Sequence, residues 1–409
     1  MKNKFILILL CICQVSIAQA QTRLWQPISE AAVRMGGERL IIPQKYKTFR
    51  TVPTDLKNVL NAAPDENNTE VKNSTTIIEL PMPDGSVQRF KVVSSHYLAP
   101  ELAAKFPEIR TFNIMGIDHP GTYGKLDITA LGFHGMQYGT AGNIFIDPYK
   151  RNNVEDYISY YADDFIKDIK TKCQTEDIPL EQKVPPVTNA AICSGANLRT
   201  YRLAVACTGE YAIAVAGANP TLVNVLSAVT TTVLRVSGIY EKEVSIKFTL
   251  IGAESSLLFF DPATDPFTGN NNANVLINES QQVIDNVALD ANYDIGHTFS
   301  TGGGGLAGLG VVCTTGQKGR GITGSSNPVG DPYDVDFVCH EFGHQFGCNH
   351  SYNQCTGNAT EHAGTMVEPG SGITIMGYAN VCAPKDNLAS QSIPYFHSIS
   401  FDELMTYSS

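Results

Sequence analysis

Residues 340–350 read His340-Glu341-Phe342-Gly343-His344-Gln345-Phe346-Gly347-Cys348-Asn349-His350. On an α-helix, at about 100° per residue, His340 and His344 stand about 40° apart and one turn along the axis, so both imidazoles can face one ion. Glu341 lies on the same side, within reach of a water beside the ion and under no need to ligate it. His350 cannot join them on a continuous helix, where it would sit about 120° round from His344 and roughly 9 Å further along. The chain must therefore turn. Gly347 stands where the turn is needed, and glycine takes the left-handed conformation without a Cβ penalty. From average composition the full pattern arises by chance on the order of once in 10⁵ chains of this length. We read His340, His344 and His350 as ligands of one catalytic Zn²⁺ and Glu341 as the general base.

Working outward, residues 199–409 read as one domain. Tyr201–Cys207 is a strand. Asn219-Pro220 opens a helix carrying Leu222, Leu226, Val229, Val233 and Val236, and Val244, Ile246, Phe248 and Leu250 alternate with polar residues as a second strand. Strand, helix, strand is a βαβ unit, which implies a parallel pair. A second helix is expected over 274–289 and a strand over 293–299. Residues 21–170 read as β-rich: Ile77–Leu80 and Val87–Val93 flank the turn Pro83-Asp84-Gly85, and further strands are expected over 125–133 and 142–146. Between the two regions, 171–198 reads as a linker, with Val184-Pro185-Pro186-Val187 at its centre. His96, His119, His134, His297, His362 and His397 are far apart in sequence and read as structural.

The chain has 409 residues, too many for one ordinary core, with 29 Lys+Arg against 40 Asp+Glu. That acidic balance argues against nucleic acid or an anionic membrane as a partner. Lys2 and Lys4, the apolar run Phe5–Ile17 and Ala18-Gln19-Ala20 describe a signal peptide over 1–20, so the protein is expected to be secreted and extracellular. No later run reads as long and apolar enough for a membrane span. Without the leader 27 basic residues face 40 acidic ones, a net charge near −13, and eight cysteines remain, an even number that favours disulfides in an exported chain. Cys355 with Cys382 is the favoured pair; Cys339 and Cys348 are too far apart to bridge each other.

The 340–350 motif resembles the extended zinc signature of the metzincin metalloproteases, and the chain looks most like the reprolysin (adamalysin) family, especially its secreted bacterial members. Ile373-Thr374-Ile375-Met376-Gly377-Tyr378, with Met376 lying 26 residues past His350, looks like the methionine turn of that clan. Gly305-Leu306-Ala307-Gly308-Leu309-Gly310-Val311-Val312-Cys313 looks like its edge strand, and Gly132-Phe133-His134-Gly135 with Ile146-Asp147-Pro148-Tyr149 like its propeptide.

The resemblance implies an α/β (α+β) catalytic domain with a mixed, mostly parallel twisted sheet and long helices, preceded by a β-rich propeptide domain. It implies a secreted zinc endopeptidase made as a latent zymogen, with Met376 packed beneath the ligands and Leu306–Val312 pairing with an extended peptide or protein substrate. Ser351 stands where reprolysins usually carry aspartate. Tyr378 has the spacing of the fifth-ligand tyrosine of astacins and serralysins, so a protease of that kind is one alternative. The other is a non-catalytic secreted binding protein with structural zinc, and a fourth protein ligand would point that way. Neither Cys173 nor Cys193 matches the family's Pro-Lys-x-Cys-Gly motif; a thiolate switch and a propeptide disulfide both stay open. A calcium role for Glu368 is unsupported by any ligand pattern. The physiological substrate and the oligomeric state are not legible.

Overall fold

The computed structural model describes residues 23–139, 142–165, 172–177, 197–356 and 364–408. The expected signal peptide, Cys193, His362 and most of the expected linker lie outside the described residues.

The N-terminal region is built on an antiparallel sheet. Its strands are β1 (Gln26–Ile28), β2 (Lys47–Arg50), β3 (Ile77–Pro81), β4 (Val87–Ser95), β5 (Arg110–Gly116), β6 (Tyr123–Thr129), β7 (Gly132–Tyr138), β8 (Ile144–Pro148) and β9 (Asp156–Tyr161), in spatial order β1-β2-β9-β8-β7-β6-β5-β4-β3. Two short helices, α1 (Pro53–Asn61) and α2 (Pro100–Lys105), each carry proline at the start, where its missing N–H costs nothing. The single strand expected over 125–133 is in fact a hairpin. Thr129 Oγ1 accepts the Leu131 N–H, and Gly132, at φ +121°, starts the return strand.

The C-terminal region carries a mixed sheet of β10 (Arg199–Cys207), β11 (Ile246–Leu250), β12 (Ile295–Ser300), β13 (Gly305–Ala307) and β14 (Gly321–Gly324), in spatial order β11-β10-β12-β14-β13. Every neighbouring pair is parallel except β13–β14. The βαβ unit holds one more helix than expected, α3 (Gly209–Ala216), whose eight residues are too few and too uniformly apolar to show a period. The long helix α4 (Leu222–Val244) starts later than expected, capped by Thr221, whose Oγ1 accepts the Asn224 N–H. It ends at Ser245 in the left-handed region, so Val244 belongs to the helix and not to β11. α5 (Ala273–Ala288) is capped by Asn272. α6 (Asp331–Tyr333), a π-helical turn (Asp334–Cys339), α7 (His340–Gln345) and α8 (Ser398–Ser408) complete the region.

One core runs through both regions. Met136, Tyr138, Phe145 and Tyr160 from the antiparallel sheet pack in the same apolar cluster as Val229, Val233, Val236 and Tyr240 of α4 and Leu203, Val205 and Phe248 of the mixed sheet. Helix α4 is, among the described residues, the one long and apolar enough to cross a bilayer, contrary to the expectation that no such run exists. It lies 78% buried across its most apolar window and serves as a core helix. The edge strand is also shorter than expected. β13 stops at Ala307, and Gly310 and Val311 donate instead to the His344 and Gln345 carbonyls at the end of α7.

Candidate active site

Helix α7 presents His340 and His344 one turn apart, and its last residues satisfy the turn read from sequence. Gly347 sits at φ +91°, Gly347 N–H donates to the His344 carbonyl at 2.8 Å, and Cys348 N–H to the Gly343 carbonyl at 2.9 Å. The chain then reverses and returns His350 to its partners. The ring centroids of His344 and His350 are 4.6 Å apart, those of His340 and His344 4.7 Å, and those of His340 and His350 5.3 Å.

What makes the three rings a ligand set is the commitment of their other nitrogens. His340 Nδ1 donates to the Ile375 carbonyl at 2.6 Å and His344 Nδ1 to the Cys348 carbonyl at 2.7 Å, while His350 Nδ1 lies 2.9 Å from Asp177 Oδ1. A proton held at each Nδ1 leaves each Nε2 a lone pair. Those lone pairs converge: the Nε2 atoms of His340 and His344 are 3.1 Å apart, and buried His350 Nε2 has no hydrogen-bond partner. Two lone pairs facing each other at that distance repel unless a cation lies between them. The residues present fit a bound metal ion.

A fourth donor joins them. Cys173 Sγ lies 3.4 Å from His344 Nε2, and the sulfur and the three histidines offer ligand atoms all within 4.8 Å of one another. Of the two roles left open for Cys173, this placement suits the thiol facing the histidines, and residues 172–177 are not the free linker expected over 171–198. Cys173 makes a parallel bridge with Gly305, Gln174 N–H donates to the Gly305 carbonyl at 2.8 Å, and Thr175 Oγ1 accepts the Ala307 N–H at 2.9 Å. The segment thus extends the mixed sheet beyond β13. Asp177 ends it, its Oδ1 also taking the His350 backbone N–H at 3.0 Å. Sequence reading could not find Asp177, because nothing within the 340–350 motif points to a carboxylate more than 170 positions away.

Glu341 is fully buried next to the ligand set. A Cβ at residue 305 would lie 1.8 Å from its Oε1, so only glycine leaves room for this carboxylate under the edge strand. Its Oε1 has no hydrogen-bond partner, and Oε2 faces Thr175 Oγ1 at 3.5 Å. Burial, opposed by contacts with the Cys173 thiol and Thr175, pushes its pKa up to about 8. Burial, aided by the Glu341 charge, likewise pushes the Cys173 thiol up, so a thiolate forms there only beside a cation.

Met376 is fully buried and packs against Gly343, where any Cβ would lie 2.4 Å from its sulfur. The Glu368 carboxylate pins this turn. It accepts the Ser351 hydroxyl at 2.6 Å, the Ile373 and Thr374 N–H groups at 2.8 and 3.1 Å, and the Thr374 hydroxyl. Its acceptor sites are thus taken up by the protein. Tyr378 stacks on Tyr352, and its hydroxyl donates to the Cys173 carbonyl at 3.0 Å. Cys355 and Cys382 form the expected disulfide. The wider expectation of paired cysteines does not hold among the described residues: Cys207, Cys339 and Cys348 are buried thiols in the core, Cys313 is exposed, and Cys173 faces the histidines. His297 is a core residue between Gln345 Oε1 and Thr323 Oγ1, and His134 pairs with Asp127.

No curated protein matches the chain. Among solved structures, the crystal structure of metalloproteinase-II from Bacteroides fragilis aligns over 85% of this chain and 97% of that one, at 12% identity and a TM-score of 0.44. A structure described as a chaperone–substrate complex aligns over 69% of this chain and 38% of that one, at 11% identity and a TM-score of 0.30. The sequence model of metallo-peptidase family M12B, reprolysin-like, matches residues 197–405, which span the mixed sheet, the three histidines, Glu341 and Met376. The chain belongs to that metallopeptidase family.

Proposed function

We propose that this protein is a secreted zinc-dependent endopeptidase synthesised as a latent zymogen: a leader over 1–20, a propeptide that ends with the Cys173–Asp177 strap, and a catalytic domain from about 199. The observation that carries the reading is the ligand set itself. Three imidazoles have their Nδ1 protons committed elsewhere, a buried glutamate whose Oε1 has no hydrogen-bond partner lies beside them, and the closing thiol comes from the far side of the 178–196 segment.

His340, His344 and His350 would hold zinc, with Cys173 as fourth donor in the latent form. The ion, when bound, supplies a Lewis acid that makes water nucleophilic near neutral pH and polarises the scissile carbonyl. Glu341 Oε1 takes the proton of the attacking water and returns it to the leaving amine. Gly305–Ala307 offers backbone groups to an extended peptide once the strap has gone, and Tyr378 loses its Cys173 partner at the same moment.

Four protein donors also suit the second reading, a secreted binding protein with structural zinc. The two are separated by assaying full-length protein, Cys173→Ala and chain processed within 178–196 on denatured casein, with and without chelator. The intact chain is expected to be inert, the processed chain active, and chelator to abolish the activity. No chelator-sensitive cleavage by the processed chain at any pH would favour the binder. N-terminal sequencing of the exported form tests the leader, with Gln21 expected first.

A further inference from the structure

Two of the three histidines take their Nδ1 acceptors from the region that carries them, His340 from the Ile375 carbonyl and His344 from the Cys348 carbonyl. Both also stand on α7, whose backbone fixes them one turn apart. His350 has neither support. It lies beyond the Gly347 turn in no helix or strand, with its ring packed against those of Tyr352 and Tyr378. Its Nδ1 acceptor is Asp177, which belongs to the strap. One oxygen, Oδ1, takes both the ring N–H at 2.9 Å and the backbone N–H of the same residue at 3.0 Å, which ties the ring to its own main chain. The contact is sealed from solvent, with the His350 side chain 0% and the Asp177 side chain 3% exposed.

We infer that Asp177 is a positioning residue for His350, and that the strap therefore holds zinc in the full-length chain by two separable means. Cys173 meets the ligand set from the Nε2 side, 3.4 Å from His344, and Asp177 aligns the third imidazole from behind. The inference rests on the zymogen reading above and names a regulation of the same site: the latent chain is the metal-retaining form, and release of the strap loosens His350 together with the thiol. A carboxylate behind a histidine ligand fixes its tautomer and orientation and raises its basicity toward the metal. Here the charged acceptor falls to the one ligand that no helix holds. Asp177 Oδ2 is buried and has no hydrogen-bond partner among the described residues, so contact with His350 is the main compensation for burying this carboxylate. A cation on the far side of the ring adds to that compensation. Zinc binding and strap seating are thus coupled, and the coupling acts in both directions.

The test compares zinc affinity, by competition with a fluorescent chelator, in the full-length chain, Cys173→Ala, Asp177→Ala and the double variant. Asp177→Ala is expected to weaken zinc binding about tenfold, and by about the same factor in the Cys173→Ala background, where no thiol remains for the strap to seat. Asp177→Asn, which keeps an oxygen for both N–H groups and loses the charge, is expected to fall between. Cobalt in place of zinc gives a spectroscopic readout: the sulfur-to-metal charge-transfer band should persist in Asp177→Ala, with Cys173 still seated although affinity has dropped. Chain processed within 178–196 should bind zinc about as weakly as the double variant. An affinity that Asp177→Ala leaves unchanged in the Cys173→Ala background, a charge-transfer band lost along with the carboxylate, or processed chain binding zinc as tightly as intact chain overturns the inference and leaves the peptidase standing. No chelator-sensitive cleavage by the processed chain in the casein assay removes the peptidase reading and this regulation with it.

Discussion

Glu341 and His297 are both fully buried and titratable, and burial acts on them in opposite directions. A desolvated carboxyl resists ionising, so Glu341 rises to about 8, whereas a desolvated imidazole resists protonation, so His297 falls to about 4. For Glu341 the consequence is chemical. Glu341→Ala should retain zinc, measured by elemental analysis, and lose peptide-bond cleavage by about 10²-fold or more; undiminished turnover would take the glutamate out of the mechanism. For His297 the consequence is stability. Its pKa is lower in the folded chain than the ordinary imidazole value of 6.5, so between about 6.5 and about 4 the unfolded chain binds the proton that the folded chain refuses. Folding stability should therefore fall as pH drops through that window, by up to about 3 kcal/mol from this group. Urea midpoints followed from pH 7 to 4 should decline less steeply in His297→Gln than in the unaltered chain, and parallel curves would refute the assignment.

At the scale of elements, two loops far apart in sequence complete what α7 begins. The 373–378 turn fixes His340 through the Ile375 carbonyl, and it also receives the Ser351 N–H, next to His350, on the Met376 carbonyl. Glu368 ties both ends of that arrangement together. Glu368→Ala would leave two hydroxyls and two backbone N–H groups without their acceptor. Zinc affinity, measured by competition with a chromophoric chelator, is expected to fall 10- to 100-fold, with a loss of about 1–3 kcal/mol in stability. Unaltered affinity would show that the turn holds its shape without the carboxylate. The turn was legible from its own six residues. Its clamp was not, because Glu368 resembles any loop glutamate until Ser351 is brought beside it.

Across the whole molecule, the two regions share more than the strap. Lys125 pairs with Glu241 at 2.6 Å, Lys247 with Glu66 at 2.7 Å, and buried Arg235 of α4 reaches Asp147 of β8 at 2.6 Å and Asp334 at 3.0 Å. Residues 97–99 also bond to Leu250 on the outer side of β11. A cut within 178–196 therefore severs the chain without opening this core. The two fragments should co-elute as one species on size exclusion under native conditions and separate only in denaturant; separate elution under native conditions would show that the shared core does not hold them. Release of the strap from the histidines would then be a local event, requiring far less energy than dissociation of the whole N-terminal region.

The local chemistry is written in short stretches of sequence. Helical periodicity alone aligns His340, Glu341 and His344, a single glycine dictates the turn before His350, and alternation or spacing of apolar residues marks β10, β11, α4 and α5. These are consequences of backbone geometry over one or two turns, where neighbours in sequence are neighbours in space. The groups that gather round the histidines and hold them come from long-range packing. Cys173, Asp177 and Glu368 gain their roles from partners more than a dozen and up to about 170 residues away, and the near-complete burial of α4 exceeds what its own apolar spacing implies because elements of both regions pack against it. A donor's identity is written in its own residue, but convergence of donors depends on how distant segments pack, and no local periodicity carries that information.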